Sequence, residues 1–418
     1  MGSPTGGGEI GRVDRQARAA TAGLFLSNGA LFAGLLPRYP EIKSDLGLSN
    51  SALGAAVAAF AAGALVVGPI AGAALRRWGS ARSAVGGAVL IALCALAAAL
   101  APNGAVLAAA LFAAGAADAV TDVAQNAQGL AVQRRYGRFI INSLHAVWSM
   151  GAVLGGLIGV AAIAAGVPRA VQVGAAGVVF GGLCLAGYRR LLPESEHGRG
   201  SGPSSHRHPS GRVVAGLAAL VAIAVAGAVI EDGASSWATL YLRESLHAPA
   251  ALAATGYVAA VAAQFAGRLI GDRLTDRFGP AAVARSGGLI VAAGMGAALA
   301  WPGVAGTLVG FGAAGFGCAT LVPGAMHAAD DLPGLRPGTG LTVLTWLMRV
   351  GFLVAPLVVG AIADAVSLRV ALLIVPAAGV AAAVLAGALN RPSPLGGAIN
   401  PPSPLGGALN LPRRTTRW

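Results

Sequence analysis

Three polar side chains recur at intervals of four residues inside a long apolar stretch of this sequence. They are Asp118, Asp122 and Asn126, and in a helix this spacing places all three on one face. Ionisable groups inside an apolar run are expensive and usually functional, and two close carboxylates readily share one proton. The pattern predicts that Asp118 and Asp122 bind and release a coupling proton. The alternative is that Asp122 lies near a helix end and pairs with an arginine there.

The next apolar run carries His145 and, one helical turn on, Trp148. His145 should lie at a depth similar to that of the two acids, and histidine titrates near neutral pH, so it is a third candidate for proton coupling. A hydrogen-bonded histidine between helices is the other interpretation. Trp148 could stack on a sugar or an aromatic substrate, or it could serve only for packing.

Charged and aromatic side chains also interrupt the apolar runs of the second half. Glu231 and Asp232 precede Gly233, which offers a break in the helix, and broken helices with acids commonly build substrate or ion sites. Trp237, a few residues on, is either a further substrate contact or part of an interfacial aromatic belt. The alternative for the two acids is a solvated position at the mouth of the protein.

Arg349 lies about ten residues into its apolar run, which at ~1.5 Å per residue is near the middle of a membrane. An arginine at this depth needs a partner. Arg349 could bind an anionic substrate, pair with an acid of the fourth run, or be a structural arginine. Asn28 and Asn126 complete the predicted substrate contacts as neutral hydrogen-bonding groups.

The composition shows which elements must hold these residues. The chain has 418 residues, of which 56% are hydrophobic and 11% charged, with a mean hydropathy of +0.72. An ordinary soluble domain has about 25% charged residues. The apolar residues form twelve runs of about 20 residues, the length that crosses a ~30 Å hydrocarbon layer. We predict an all-α membrane protein with a disordered N-terminal tail (1–16), a six-helix bundle (17–192), a cytoplasmic linker (193–212), a second six-helix bundle (213–389) and a disordered C-terminal tail (390–418).

The net charge of +13 is carried mainly by short arginine-rich turns between apolar runs. If the N-terminus is cytoplasmic, most Arg and Lys residues lie on the inner side, which is the pattern of bacterial inner-membrane proteins. This distribution predicts twelve spans with both termini in the cytoplasm and argues against a nucleic-acid partner. The spacing of Cys and His residues indicates no metal site. The sequence contains no phosphate-binding glycine loop, so we expect neither ATP nor another cofactor.

One of the basic turns is repeated in the sequence. The stretch that includes Gly72, Arg77 and Gly79 is echoed by a stretch that includes Asp276, Arg277 and Gly279, and the final glycines are 200 residues apart. A turn used at the same place in two halves indicates an internally duplicated membrane protein.

Six plus six helices, a linker and a basic turn after the second and eighth helices resemble the major facilitator superfamily. The resemblance implies twelve transmembrane helices in two pseudo-symmetric six-helix halves that transport by alternating access. The first turn has Arg76 where the family usually has Asp, which removes an acid that usually forms an ion pair there.

A closer resemblance is to the fucose-permease-like branch, which includes bacterial inner-membrane proteins of the YbjJ type. It rests on Asn28-Gly29, the stretches 37–43, 122–127 and 145–151, and Glu231-Asp232-Gly233. The resemblance implies a monomeric, proton-coupled transporter that takes up a small sugar-like solute across the lipid bilayer of the bacterial inner membrane. The alternative is efflux of a drug or natural product by proton antiport, although the helix 4 arginine of such exporters is replaced here by Leu111. The sequence shows no set of residues typical of an enzyme.

Overall fold

The computed structural model describes residues 11–137, 140–193, 211–332, 335 and 339–390, and this part of the chain is helical without any β-strand. Twelve of its helices are long and apolar enough to cross a membrane. The predicted all-α class and number of spans are therefore confirmed.

We number the twelve spanning helices α1–α12. Their bounds are Arg12–Ala33, Asn50–Trp78, Ser80–Ala99, Gly104–Tyr136, Ile141–Ala164, Arg169–Gly187, Gly211–Ser236, Ala250–Phe278, Pro280–Ala300, Val304–Cys318, Thr339–Ala365 and Ile374–Leu385. Short helical segments extend α1 (Leu36–Arg38, Tyr39–Asp45), α6 (Tyr188–Arg190), α7 (Ala238–Leu240, Tyr241–Ser245) and α10 (Leu321–Asp330). Leu368–Ala371 precedes α12 and Ala386–Asn390 follows it, so the twelfth span covers Leu368–Asn390.

Successive spans run in opposite directions, so their connections alternate between two faces. We call the face with the start of α1 and the turns at Gly79 and Gly279 the terminal face, and the opposite one the distal face. The distal face carries the connections from α1 to α2 and from α7 to α8. α1 begins at Arg12, five residues before the predicted first span, and most of the predicted linker and tails (194–210, 1–10 and 391–418) lies outside the described residues.

The repeated turns have the same backbone conformation in both halves. Gly79 ends α2 with φ 80° and ψ 156°, and Gly279 ends α8 with φ 80° and ψ 155°. Only glycine adopts this conformation without strain. Each glycine N–H also donates to a carbonyl four residues back, Leu75 or Thr275, at 2.8 Å. The 200-residue repeat is therefore present in the backbone conformation as well as in the sequence.

A second repeated contact has the same spacing. Arg169, at the start of α6, donates from Nε to the carbonyl oxygen of Ala99 at 2.7 Å, and Arg369 donates in the same way to Leu299 at 2.7 Å. Both acceptors lie at the ends of their helices, where carbonyl groups lack helical partners. The two halves therefore use the same arginine to hold corresponding helix ends.

The two halves meet along two helix pairs, α2 with α11 and α5 with α8. Glycines bring these helices close together, since a Cβ on Gly156 of α5 would lie 2.8 Å from the Tyr257 ring of α8. A Cβ on Gly360 of α11 would lie 2.6 Å from the carbonyl oxygen of Asn50. Small residues allow this close helix packing in lipid.

Candidate functional site

Asn28 joins three helices of the first half near the middle of the bundle. Its Nδ2 donates to Asp118 Oδ1 of α4 at 2.8 Å, and its Oδ1 accepts from Trp148 Nε1 of α5 at 2.6 Å. The side chain is only 3% exposed, so these two bonds replace its contacts with solvent. The structure thus brings together three of the predicted site residues, and the network fixes the orientation of the Asp118 carboxyl group.

The second acid of α4 has a partner on its own helix. Asn126 Nδ2 donates to Asp122 Oδ1 at 3.0 Å and to the Asp122 carbonyl oxygen at 2.9 Å. Asp122 is partly buried and lies within electrostatic reach of Asp118. The predicted shared face of α4 is therefore present, and the Asn126 amide nitrogen is used for Asp122.

His145 extends this set of ionisable groups onto α5. Its ring meets Phe25 of α1 edge to face, with centroids 5.3 Å apart, and the residue as a whole is exposed. It lies within electrostatic reach of Asp122 and of Arg268 in the other half. His145 is therefore placed between the α4 acids and the second half.

Trp148 also belongs to an aromatic cluster. Its ring lies 6.5 Å from Phe32, which lies 5.3 Å from Phe60 of α2. The indole N–H is already bonded to Asn28. Trp148 therefore offers a substrate its ring and no further donor.

The acids of α7 have different surroundings. Asp232 is 6% exposed, accepts from Ser236 Oγ at 2.9 Å through Oδ1, and interacts with the side chain of Trp237. Glu231 is partly exposed, and its Oε2 is 4.0 Å from Arg268 Nη2. The two neighbours therefore face different environments, and the solvated-mouth interpretation does not describe Asp232.

The helix break occurs later than the sequence suggested. α7 continues through Gly233 and ends at Ser236, and Trp237 separates it from the next short helix. A Cβ on Gly233 would lie 2.6 Å from Val375 Cγ2 of α12, so this glycine serves close packing rather than a break. Trp237 is fully buried, so its ring does not face lipid or water, and its indole interacts with Asp232.

Arg349 crosses from α11 to α2. Its Nη1 donates to the Ala64 carbonyl oxygen at 3.0 Å, and it lies within electrostatic reach of Asp118. The side chain is partly buried. Among the described residues, the hydrogen-bond partner of Arg349 is therefore a backbone carbonyl group, and the acid of α4 is only an electrostatic neighbour.

Arg268 is a site residue that the sequence analysis does not single out, because it lies close in sequence to the basic turn at Gly279. It lies inside α8, ten residues before Phe278, which is ~15 Å from the helix end at ~1.5 Å per residue. Its Nη1 donates to Ser149 Oγ of α5 at 3.0 Å. Counting back along the helix from Gly279 could have revealed this depth.

The charged residues of the repeated turn lie at the surface, whereas Gly79 is buried. Arg77, Asp276 and Arg277 are exposed, and within the described ranges none of them forms an ion pair. The Arg277 guanidinium lies 5.3 Å from the centre of the Phe278 ring. Gly72 is only partly buried, next to Arg76.

The sequence matches the family model of the Major Facilitator Superfamily over residues 21–270. Membrane protein MosC of Rhizobium meliloti is 31% identical over 380 residues, which cover 90% of this chain and 91% of MosC. An MFS-type transporter of Yersinia pestis is 28% identical over 353 residues, which cover 83% of this chain and 89% of that one.

Solved structures with the same fold include the nucleoside transporter NupG, with a TM-score of 0.68, 12% identity, and coverage of 91% of this chain and 99% of NupG. A bacterial homologue of the lysosomal transporter Spinster, in an inward-facing and occupied conformation, gives a TM-score of 0.69 at 14% identity. That match covers 92% of this chain and 97% of the homologue. At these identities the likeness concerns the fold alone.

Proposed function

Because this chain belongs to the major facilitator superfamily, we propose that it moves a small polar organic solute by alternating access, driven by protons that bind to the acids of α4. The Asn28-centred network supports this most directly. It holds Asp118 at 2.8 Å from an amide donor in the interior of a spanning helix, where a charged group is costly unless it is used.

The ionisable groups next to Asp118 suggest how the proton is held. Asp118 lies within electrostatic reach of Asp122, and Asp122 within reach of His145. Two neighbouring carboxylates repel each other when both are ionised, and a proton bound by Asp118 relieves this repulsion. His145 is exposed, which leaves its ring accessible for proton exchange.

The contacts between the halves support one end state of the cycle. At the distal face, Lys43 Nζ and Glu244 Oε2 are 2.8 Å apart and join the first half to the second. Asp364 of α11 accepts from the backbone N–H groups of Asn50 and Ser51 of α2. These contacts close the distal face. With both termini in the cytoplasm of a bacterial inner membrane, as the arginine distribution favours, this conformation is inward-facing.

The resemblance to the fucose-permease-like branch favours a sugar-like solute and uptake by a monomer. The partly exposed ring of Trp148 and the partly exposed carboxylate of Glu231 suit a solute that carries hydrogen-bonding groups. Efflux of a drug or natural product by proton antiport is the alternative, and the direction of proton movement separates the two.

Proton flux into proteoliposomes, measured while solutes are added to the full-length protein, tests the proposal. We expect a transported solute to drive proton movement with wild type. Asp118→Asn and Asp122→Asn should exchange the solute without moving protons, because the amide keeps the shape and loses the titratable group. Asp272→Asn, an exposed acid on α8, is the matched control. Solute movement without protons in wild type would contradict the coupling.

A further inference from the structure

The interface between the halves contains two arginines in related positions. With the 200-residue repeat, Arg268 of α8 corresponds to Gly68 of α2, and Arg349 of α11 corresponds to Ser149 of α5. The repeat also exchanges the two helix pairs, because α2 corresponds to α8 and α5 to α11. Each interface therefore has one arginine and one small residue at equivalent places, but the arginine comes from a different helix of the pair.

The contacts follow this exchange. Arg268 Nη1 donates to Ser149 Oγ at 3.0 Å. At the other interface, a Cβ on Gly68 would lie 3.0 Å from Arg349 Nη1, so this arginine occupies space that the glycine leaves. Both guanidinium groups reach across the boundary between the halves.

Each guanidinium retains unused donors. An arginine has five N–H donors, and within the described part of the chain each of these two makes one hydrogen bond. Arg268 is also 4.0 Å from Glu231, beyond hydrogen-bonding distance. The Arg268 side chain is 27% exposed and Arg349 is partly exposed. Partly buried guanidinium groups with free donors suit the planar, bidentate geometry of a carboxylate.

A continuous series of charged groups connects the two arginines. Asp118 interacts electrostatically with Arg349 and with Asp122. His145 in turn interacts with Asp122 and with Arg268. Both arginines are therefore linked electrostatically to the same pair of acids on α4.

We propose that the transported solute carries a carboxylate, and that Arg268 and Arg349 bind this group, one from each interface. The inference rests on the proposed transport function and adds the chemical class of its substrate. It also gives the coupling a physical basis. An ionised Asp118 attracts Arg349 and repels the solute carboxylate. A protonated Asp118 exerts neither force, so the proton and the carboxylate bind cooperatively.

The experiment measures binding and counterflow with the full-length protein in proteoliposomes. The panel contains hydroxy acids, sugar acids and amino acids, each beside its primary amide or its polyol. We expect wild type to bind and exchange a carboxylate, and Arg268→Gln and Arg349→Gln to weaken that binding by about 10- to 100-fold. The uncharged counterparts should bind weakly, and equally to all variants.

Three further variants address folding and coupling. Arg273→Gln changes an exposed arginine on the same helix α8 and should leave binding unchanged. Arg349→Lys keeps the charge without the planar fork and should retain intermediate affinity. Carboxylate binding should tighten at lower pH in wild type, and Asp118→Asn should remove this dependence. The groups that face Asp118 are Asp122 of its own helix, Asn28 of α1 and Arg349 of α11.

The outcomes separate this inference from the function on which it rests. Exchange of an uncharged solute, with every carboxylate inactive, would overturn the inference and leave transport intact. Equal carboxylate affinity in wild type and both glutamine variants would also overturn it. If wild type exchanges no solute of either kind, the proposed transport function itself fails. Within the carboxylates, the hydroxy-acid and amino-acid members distinguish a plain anion from a zwitterion.

Discussion

A carboxylate at the end of α11 holds the distal face closed by capping a helix of the other half. Asp364 Oδ1 accepts from Asn50 N at 2.9 Å, and Oδ2 accepts from Ser51 N at 2.8 Å. These N–H groups belong to the first turn of α2, which has no helical acceptors for them and carries a partial positive charge. The contact forms only while the halves are together at this face, so its loss should favour distal opening.

The size of the effect follows from the geometry and exposure. Removing a side-chain cap from a helix N-terminus costs typically ~1 kcal/mol, and the exposure of Asp364 keeps the electrostatic part small. A change of ~1 kcal/mol is about fivefold in an equilibrium constant. Asp364→Ala should therefore lower the ratio of distal-closed to distal-open protein about fivefold. Asp364→Asn, which keeps one neutral acceptor, should have a smaller effect.

Spin labels on opposite halves of the distal face can measure this ratio. Pro102→Cys and Val366→Cys place labels at exposed positions of the first and second half, and the native cysteines are buried. Pulsed electron paramagnetic resonance then gives the populations of short and long distances. Asp272→Ala removes an exposed acid elsewhere and is the control. An unchanged ratio in Asp364→Ala, or an equal change in the control, would refute the reasoning.

Two further predictions concern the packing between the halves. Gly54→Ala should favour the long distance between the same labels, because the added Cβ would collide with the Pro356 carbonyl oxygen of α11. Gly86→Ala is the control, since a Cβ there meets no atom within 4 Å. It should change neither the ratio of the two distances nor the thermal unfolding temperature. The double variant Gly68→Arg with Arg349→Ser copies the arrangement at the other interface. In a carboxylate-binding assay it should recover affinity that Arg349→Ser alone loses. No recovery would show that the two interfaces are not equivalent.

The number and order of the spans could be predicted because they depend on local composition. Runs of about 20 apolar residues and short arginine-rich turns determine where a chain crosses a membrane, without knowledge of packing. The repeated glycine turn was also visible, since Gly79 and Gly279 need a backbone conformation that other residues avoid.

The site was only partly predictable, because it depends on which helices touch. Helical spacing alone places Asp118, Asp122 and Asn126 on one face, but it does not show that Asn28 and Trp148 form one network with Asp118. Gly233 suggested a break because a glycine allows one, whereas the packing of α12 against it keeps the helix intact. Arg268 was missed because a basic residue near a basic turn resembles a topological signal.

The 200-residue repeat offers a way to separate scaffold from site. Residues repeated at this spacing include the turn glycines and the two arginines that hold helix ends, and these serve the structure in both halves. The charged groups of the site are not repeated, since the counterparts of Asp118 and Asp122 are Cys318 and Val322. A duplicated chain needs both copies of its framework, but a solute that lacks twofold symmetry needs only one copy of each binding group. The same comparison selects Arg268 and Arg349, whose counterparts are glycine and serine, and this asymmetry favours a role in binding over a role in the shared framework.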